Sequence, residues 1–319
     1  MKARGGRRER GPTPAANARG LRRLATEKSN AASADLDTNS SLEIARIINR
    51  EDAKVAGAVA RSLPEIAKAI DLISEALSTG GRLIYVGTGT SGRIAALDAA
   101  ECPPTFNTNR KMVQFIMAGG VKALAEATEA SEDSRTLGRR EMAKKKPTHK
   151  DVVVGIAASG RTPFTVAAIE YARSRGAKTV AVVCNRNSPL EKAAHLAIVA
   201  DVGPEVVTGS TRMKAGTAQK MILNMLSTGA MTRLGYVYGN LMVNLHLKNE
   251  KLAERGIAIL EKAARLSRAD SLKVLKAAHH SVPVALVMAK TGASRVQALN
   301  ALTASRGHLR KAIERAQSR

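Results

Sequence analysis

Aromatic side chains are scarce in this sequence, which has no tryptophan, three phenylalanines and four tyrosines in 319 residues. That scarcity removes the ring platforms on which single-stranded nucleic acids stack their bases. Cys102 and Cys184 are the two cysteines, too few for a disulfide framework and not grouped with histidine at zinc spacing. No metal site is expected, and a reducing cytoplasm is the natural setting. No apolar run approaches the roughly 18 residues of a membrane span, and no apolar segment follows the N-terminal arginines, so neither a membrane anchor nor an export signal is expected. Acidic residues are also few, 27 against 51 Lys and Arg, for a net charge of +24.

Such an excess invites a nucleic-acid reading until its distribution is considered. Residues 1–23 hold eight Lys and Arg against Glu9 alone, and residues 251–319 hold fourteen against four acids. The first segment, rich in Arg, Gly, Pro and Ala, reads as a disordered tail. In the C-terminal segment the charges alternate with Ala, Leu and Val as they do on solvated helix faces. Specific nucleic-acid recognition is therefore not expected, and residues 1–40 are too disorder-prone to supply a helix-turn-helix module.

What is present is a long alternation of helix and strand patterns. Ser41-Leu-Glu-Ile-Ala-Arg-Ile-Ile-Asn49 has helical spacing with Ser40 or Ser41 as its cap, and the same spacing continues from Glu51 to Leu77. Gly80-Gly81 ends that helix. β-rich runs follow at Leu83–Val86, Met112–Met117, Val152–Ile156, Thr179–Val183 and Leu196–Val199, separated by chain long enough for crossover helices. The pattern predicts an α/β fold with a parallel sheet flanked by helices on both faces. A long helix over Ala215–Leu234 and a small helical region from Glu250, with Gly292 terminating a Val284–Lys290 helix, complete it. The expected organisation is a tail at 1–23, a main domain at 24–248 and a helical C-terminal domain at 249–319.

Two strand-to-helix turns carry the chemistry. Gly87-Thr-Gly-Thr-Ser-Gly-Arg93 follows the first strand, and Ala157-Ala-Ser-Gly-Arg-Thr-Pro163 follows the third. Glycine admits close approach of the backbone, while hydroxyls and the N–H groups of a helix start surround a phosphate that the helix dipole favours. Neither loop ends in the Gly-Lys-Ser/Thr of a Walker motif. Gly87-x-Gly89-x-x-Gly92 alone matches the dinucleotide fingerprint, but no acidic residue stands about 20 positions on to hold a ribose. Tight turns without a ligand are the bland alternative for either loop alone. Thr90, Ser91, Ser159 and Thr162 are the phosphate-binding candidates, with Arg93 and Arg161 balancing charge or supporting the loops. Ser210, Thr211, Arg212 and Lys214 form a third polar loop expected to line the same pocket.

Two carboxylates are placed for proton transfer. Glu101 precedes Cys102-Pro-Pro-Thr-Phe106, whose prolines are expected to end the helix and fix the carboxylate in a turn. Glu132 lies in Ala130-Ser-Glu-Asp133, after the next strand and the Gly119-Gly120 turn. A pair of carboxylates beside a phosphate pocket suits general acid and general base steps; a solvated surface carboxylate is the alternative for Glu132.

With these strings in view the chain resembles the N-acetylmuramic acid 6-phosphate etherases, members of the sugar isomerase superfamily that also includes the glucokinase regulatory protein. The resemblance runs from about Leu24 to about Lys311, through Thr26-Glu27, Leu42-Glu-Ile44, Gly89-Thr-Ser-Gly-Arg93, Glu101-Cys-Pro-Pro-Thr-Phe106, Val152-Val-Val-Gly-Ile-Ala-Ala-Ser-Gly-Arg-Thr-Pro163, the run Gly203 to Lys220, and Val237-Tyr-Gly-Asn-Leu-Met242. It implies a flavodoxin-like three-layer sandwich, a homodimer, a phosphosugar substrate and cleavage of the D-lactyl ether at C3 with neither metal nor redox cofactor. By the family pattern Glu101 is the acid at the departing lactyl oxygen and Glu132 the base at C2. A non-catalytic sugar-phosphate sensor of the same superfamily is the competing expectation. Three departures stand out. Ala100 replaces the usual Ser, Ser29-Asn-Ala-Ala-Ser33 replaces Arg-Asn-Pro-x-Ser, and the basic leader has no counterpart.

Overall fold

The computed structural model of the protein describes residues 24–126, 131–245, 247 and 250–318; the basic leader read from the sequence lies outside the described residues. Helices α1 (Ser41–Ala60) and α2 (Leu63–Ser78) precede the sheet. Ser40 caps α1 by accepting from the Glu43 N–H. The sequence pattern reads straight through from Glu51 to Leu77, yet the chain turns a corner at Arg61-Ser62. The cause is Pro64 in the first turn of α2, which supplies no N–H to a helix continuing from α1. Gly80, at φ 81°, closes α2 as expected.

Five parallel strands follow: β1 (Leu83–Gly87), β2 (Val113–Met117), β3 (Val152–Ala157), β4 (Lys178–Val183) and β5 (Leu196–Val199). They are ordered β2-β1-β3-β4-β5, with Leu83 opposite both Val113 and Val152. Between them run α3 (Gly89–Phe106), α4 (Arg135–Lys144), α5 (Pro163–Ser174) and the short α6 (Pro189–Ala193), and α7 (Lys214–Arg233) follows β5. Alternation along the strands builds two cores. Leu83, Tyr85, Val154 and Val182 pack under α2, α3 and α7, while Ile84, Val86, Val153 and Val183 pack under α5, with Phe164 and Ile169. This is the parallel, helix-flanked sheet that the sequence predicts.

Order 2-1-3-4-5 reverses direction between β1 and β3. At such a switch point the loops leaving adjacent strands diverge, and the crevice beyond their carboxyl ends receives ligands. Both hydroxyl-rich loops leave from these two strands.

A buried polar seam fixes α3 against α7. The Tyr85 hydroxyl donates to Asp98 Oδ2 at 2.8 Å, and Asn224 and Ser227 donate to Oδ1 at 2.8 and 3.0 Å. Burial pushes the Asp98 carboxyl up, opposed by these three bonds. Contrary to the sequence expectation, Pro103 and Pro104 do not end α3, which runs on to Phe106 and stops at Asn107 in the left-handed conformation (φ 54°). Cys102 and Phe106 bury their side chains in the core, and that packing holds the last turn despite the bonds the prolines cannot make.

Beyond α7 a two-stranded hairpin, β6 (Val237–Tyr238) and β7 (Leu241–Met242), leads to five helices: α8 (Glu250–Ala264), α9 (Arg268–Ala277), α10 (Val282–Thr291), α11 (Arg295–Ala304) and α12 (Leu309–Gln317). Their own core includes Val243, Ile257, Leu260, Leu286, Leu309 and Ile313. Gly292 terminates α10 at φ 71°. No helix among the described residues is long and apolar enough to cross a membrane.

Candidate active site

The turn after β1 is shaped by its glycines. A Cβ on Gly87 would meet the Gly92 N at 3.0 Å, and one on Gly92 would meet Met117 Cγ at 2.8 Å, so the first turn of α3 can sit directly on the strand ends. Gly89 takes φ 49°, a conformation costly for a residue with a Cβ. No side chain caps the start of α3, so its N–H groups face the crevice without an internal acceptor from a side chain. Thr90 is half-buried at this end. Ser91 is buried and donates to Gln219 Oε1 at 2.9 Å.

The turn after β3 mirrors it. Ser159 Oγ accepts from the Arg161 N–H at 3.2 Å, Thr162 precedes Pro163 at the first turn of α5, and again no side chain caps the helix. Glu132 joins the two turns. Its carbonyl accepts from the Phe164 N–H at 3.0 Å, and its Oε1 lies 3.1 Å from where a Cβ on Gly89 would stand. One candidate carboxylate therefore borders both hydroxyl-rich turns.

The third loop behaves differently. The buried Glu205 carboxylate accepts from the Lys214 and Ala215 N–H groups, each at 2.9 Å, so the start of α7 carries its own anion. Burial raises the Glu205 carboxyl, and those two N–H bonds oppose the rise. Lys214 is buried too, and its ammonium meets Glu51 Oε2 at 2.6 Å. Burial alone would push the Glu51 carboxyl up, but bonds from Lys214, Lys54 and Asn30 bring it down to about 2. Ser210 and Thr211 lie half-buried before α7. The loop still supports the site, because Gly216 packs under the Thr90 methyl, where a Cβ would come within 3.4 Å.

Three residues escaped the sequence reading. Gln219 holds Ser91 while its own Nε2 is buried with no partner. Glu205 closes α7. Asn185, just past the end of β4, donates to Ala158 O at 3.0 Å and Thr26 Oγ1 at 3.1 Å and accepts from the Ala25 N–H at 2.8 Å. It thereby fastens the early segment, including Thr26-Glu27, beside the turn that carries Ser159. The signal available for Asn185 was its place at the carboxyl end of a central strand; for Glu205 no local spacing pointed to the helix start nine residues on.

Glu101 stands apart. Twelve residues of α3 separate it from Gly89, about 18 Å along the helix axis. It is exposed and opens into a cavity of about 580 Å³ together with Thr108, Arg110, Met242 and Arg255. Within one chain the structure brings Glu132 to the two hydroxyl-rich turns and leaves Glu101 at the far end of α3. Arg93 is structural here, donating to the carbonyls of Leu124 and Glu126. Among the described residues no group of three or more His, Cys, Asp or Glu could hold a metal ion.

A parallel sheet of this order flanked by helices is the fold of the SIS domain. Residues 139–229 match the SIS domain family, and residues 65–173 match the glucokinase regulatory protein N-terminal SIS domain. The chain is 47% identical over 294 residues to an N-acetylmuramic acid 6-phosphate etherase of Clostridium beijerinckii, covering 92% of this chain and 97% of that one. It is 49% identical over 291 residues to that of Edwardsiella ictaluri, covering 91% and 97%. At this identity and coverage the chain belongs to the N-acetylmuramic acid 6-phosphate etherase family. Among solved structures, a putative phosphosugar isomerase involved in capsule formation from Bacteroides fragilis superposes with a TM-score of 0.48 at 21% identity, over 65% of this chain and 98% of that one.

Proposed function

We propose that this protein is a carbon–oxygen lyase that cleaves the D-lactyl ether of N-acetylmuramic acid 6-phosphate, giving N-acetylglucosamine 6-phosphate and D-lactate. The observation that carries the reading is Glu132 poised at Gly89, beside two uncapped helix starts, in a chain of this family. The 6-phosphate sits between Thr90 and Ser91 on one turn and Ser159 and Thr162 on the other, with Ser210 and Thr211 at the margin.

The chemistry follows from the substrate. Ring opening exposes the C1 aldehyde, which acidifies the C2 proton. Glu132 takes that proton, the electron pair forms the C2–C3 double bond, and the C3–O bond breaks as Glu101 protonates the leaving lactyl oxygen. Glu101, now ionised, takes a proton from water as it adds to C3, and Glu132 returns its proton to C2. Atoms and charge balance without an added oxidant or reductant.

A single chain holds the two carboxylates at opposite ends of α3, too far apart for one sugar. The reading therefore includes a homodimer in which Glu101 of a second copy meets the turns and Glu132 of the first. The two cysteines, both free and buried, suit the reducing cytoplasm in which we place it.

Incubating the protein with N-acetylmuramic acid 6-phosphate and assaying D-lactate tests the reading. Wild type is expected to release lactate, with kcat lowered at least about a hundredfold in Glu101→Gln and in Glu132→Gln. Tight binding of the sugar phosphate with no release would make the protein a sensor instead.

A further inference from the structure

The cavity that holds Glu101 is built from the end of α3, the loop into β2, the β6–β7 hairpin and α8. Two exposed arginines line it, Arg110 and Arg255, and neither pairs with a carboxylate among the described residues. Thr108 also lines the cavity, and although it is only 8% exposed its hydroxyl has no hydrogen-bond partner. A buried, unsatisfied hydroxyl costs free energy unless a ligand completes it. Met242 and Leu252 supply apolar wall.

Two cations, a spare hydroxyl and a small apolar surface form a recognition set for a small carboxylate carrying a methyl group. Arginine suits it because its planar fork bonds both carboxylate oxygens at once. The lactyl group is such a carboxylate. Its ether oxygen and its carboxylate carbon are both attached to one carbon, which also bears the methyl. A carboxylic acid that protonates the ether oxygen must therefore stand within one side chain's reach of whatever holds the carboxylate. Glu101 and the two arginines share one cavity and so travel together, whichever copy presents them to the sugar.

We propose that Arg110 and Arg255 bind the carboxylate of the lactyl ether and are the residues that distinguish this substrate from the same sugar phosphate without the lactyl group. The inference rests on the reading that the protein handles N-acetylmuramic acid 6-phosphate with Glu101 at the ether oxygen. On that reading the C-terminal helices take part in specificity, since Arg255 belongs to α8.

Calorimetric binding tests it in a Glu132→Gln background, where turnover does not consume the ligand. N-acetylmuramic acid 6-phosphate and N-acetylglucosamine 6-phosphate are titrated into that protein and into versions also carrying Arg110→Gln, Arg255→Gln or both. The expected result is a rise in Kd for the lactyl ether of about ten- to a hundredfold on loss of the arginines. Kd for the lactate-free sugar should stay within about twofold, which also reports that the fold and the phosphate site are intact. Arg255→Lys should fall between, keeping the charge but not the fork. Equal weakening of both ligands, or no change in either, overturns the proposal. Failure of the underlying reading looks different: wild type releases no lactate, whatever the arginines do to the binding preference. Lactate release with an arginine-independent preference sinks this inference alone.

Discussion

Lys214 is the residue whose role the sequence least reveals. Its place in a hydroxyl-rich loop at a helix start made it a phosphate candidate, but its ammonium is buried against Glu51, 163 positions away in the chain. Local spacing carries no information about such a partner. The pair ties α1 to the start of α7, and Asn30 extends the tie to the early segment by donating to Glu51 Oε2 at 3.0 Å and to Pro204 O at 3.2 Å. Breaking a buried pair from one side strands a charge, so Glu51→Gln, which leaves the Lys214 ammonium uncompensated, should cost about 3–5 kcal/mol. The double variant Glu51→Leu/Lys214→Met should recover much of that, as read by urea midpoints at neutral pH. The acid side has a defined sign. Glu51 titrates near 2 in the fold against an ordinary 4.5, so its contribution is fully present above about pH 4.5 and is lost as pH falls toward 2. Wild-type midpoints should therefore decline over that window more steeply than those of the double variant; parallel decline would remove Glu51 from the account.

Elements show where local pattern suffices and where it fails. The five strands were legible as short, mostly apolar runs, wholly buried in β1 and β3 and partly buried in the edge strands β2, which carries Gln114, and β5, and the two strand-to-helix turns were legible because glycine and hydroxyl residues cluster at strand ends. The end of α3 was misread, since Pro103-Pro104 looks like a stop whereas core packing of Cys102 and Phe106 carries the helix one turn further. Gly138 in α4 left no signal at all. Yet a Cβ there would lie 2.1 Å from the carbonyl oxygen of Phe164, so α4 can lie on α5 only with glycine at this position. Gly138→Ala must push the two helices apart, and overpacking of this kind costs about 1–3 kcal/mol. Because Phe164 also bonds the Glu132 carbonyl at the start of α5, the displacement should reach the turn bearing Ser159 and Thr162. We expect a lowered melting temperature together with a raised KM for the phosphosugar. A lowered melting temperature with unchanged KM would show that α5 holds its turn independently of α4.

The whole molecule poses the problem that neither residue nor element resolves, because the two carboxylates lie at opposite ends of one helix. Sequence could place Glu101 at the end of the helix after the first turn and Glu132 beyond the next strand, but could not show that about 18 Å of helix separates Glu101 from the glycine beside Glu132. A two-fold dimer would resolve it by crossing over: each site takes the turns and Glu132 from one copy and Glu101, with its arginine-lined cavity, from the other. Such sharing has a signature that simple dimerisation lacks. Glu101→Gln and Glu132→Gln, each nearly inactive alone, should complement when co-expressed with separable tags. Random assortment makes about half of the dimers mixed, and each mixed dimer holds one site with both carboxylates and one with neither, so activity should return to roughly a quarter of wild type. Purified mixed dimers should show about half. If both carboxylates of a site come from the same chain, every site in the mixture lacks one of them, and D-lactate release stays at the level of the single variants.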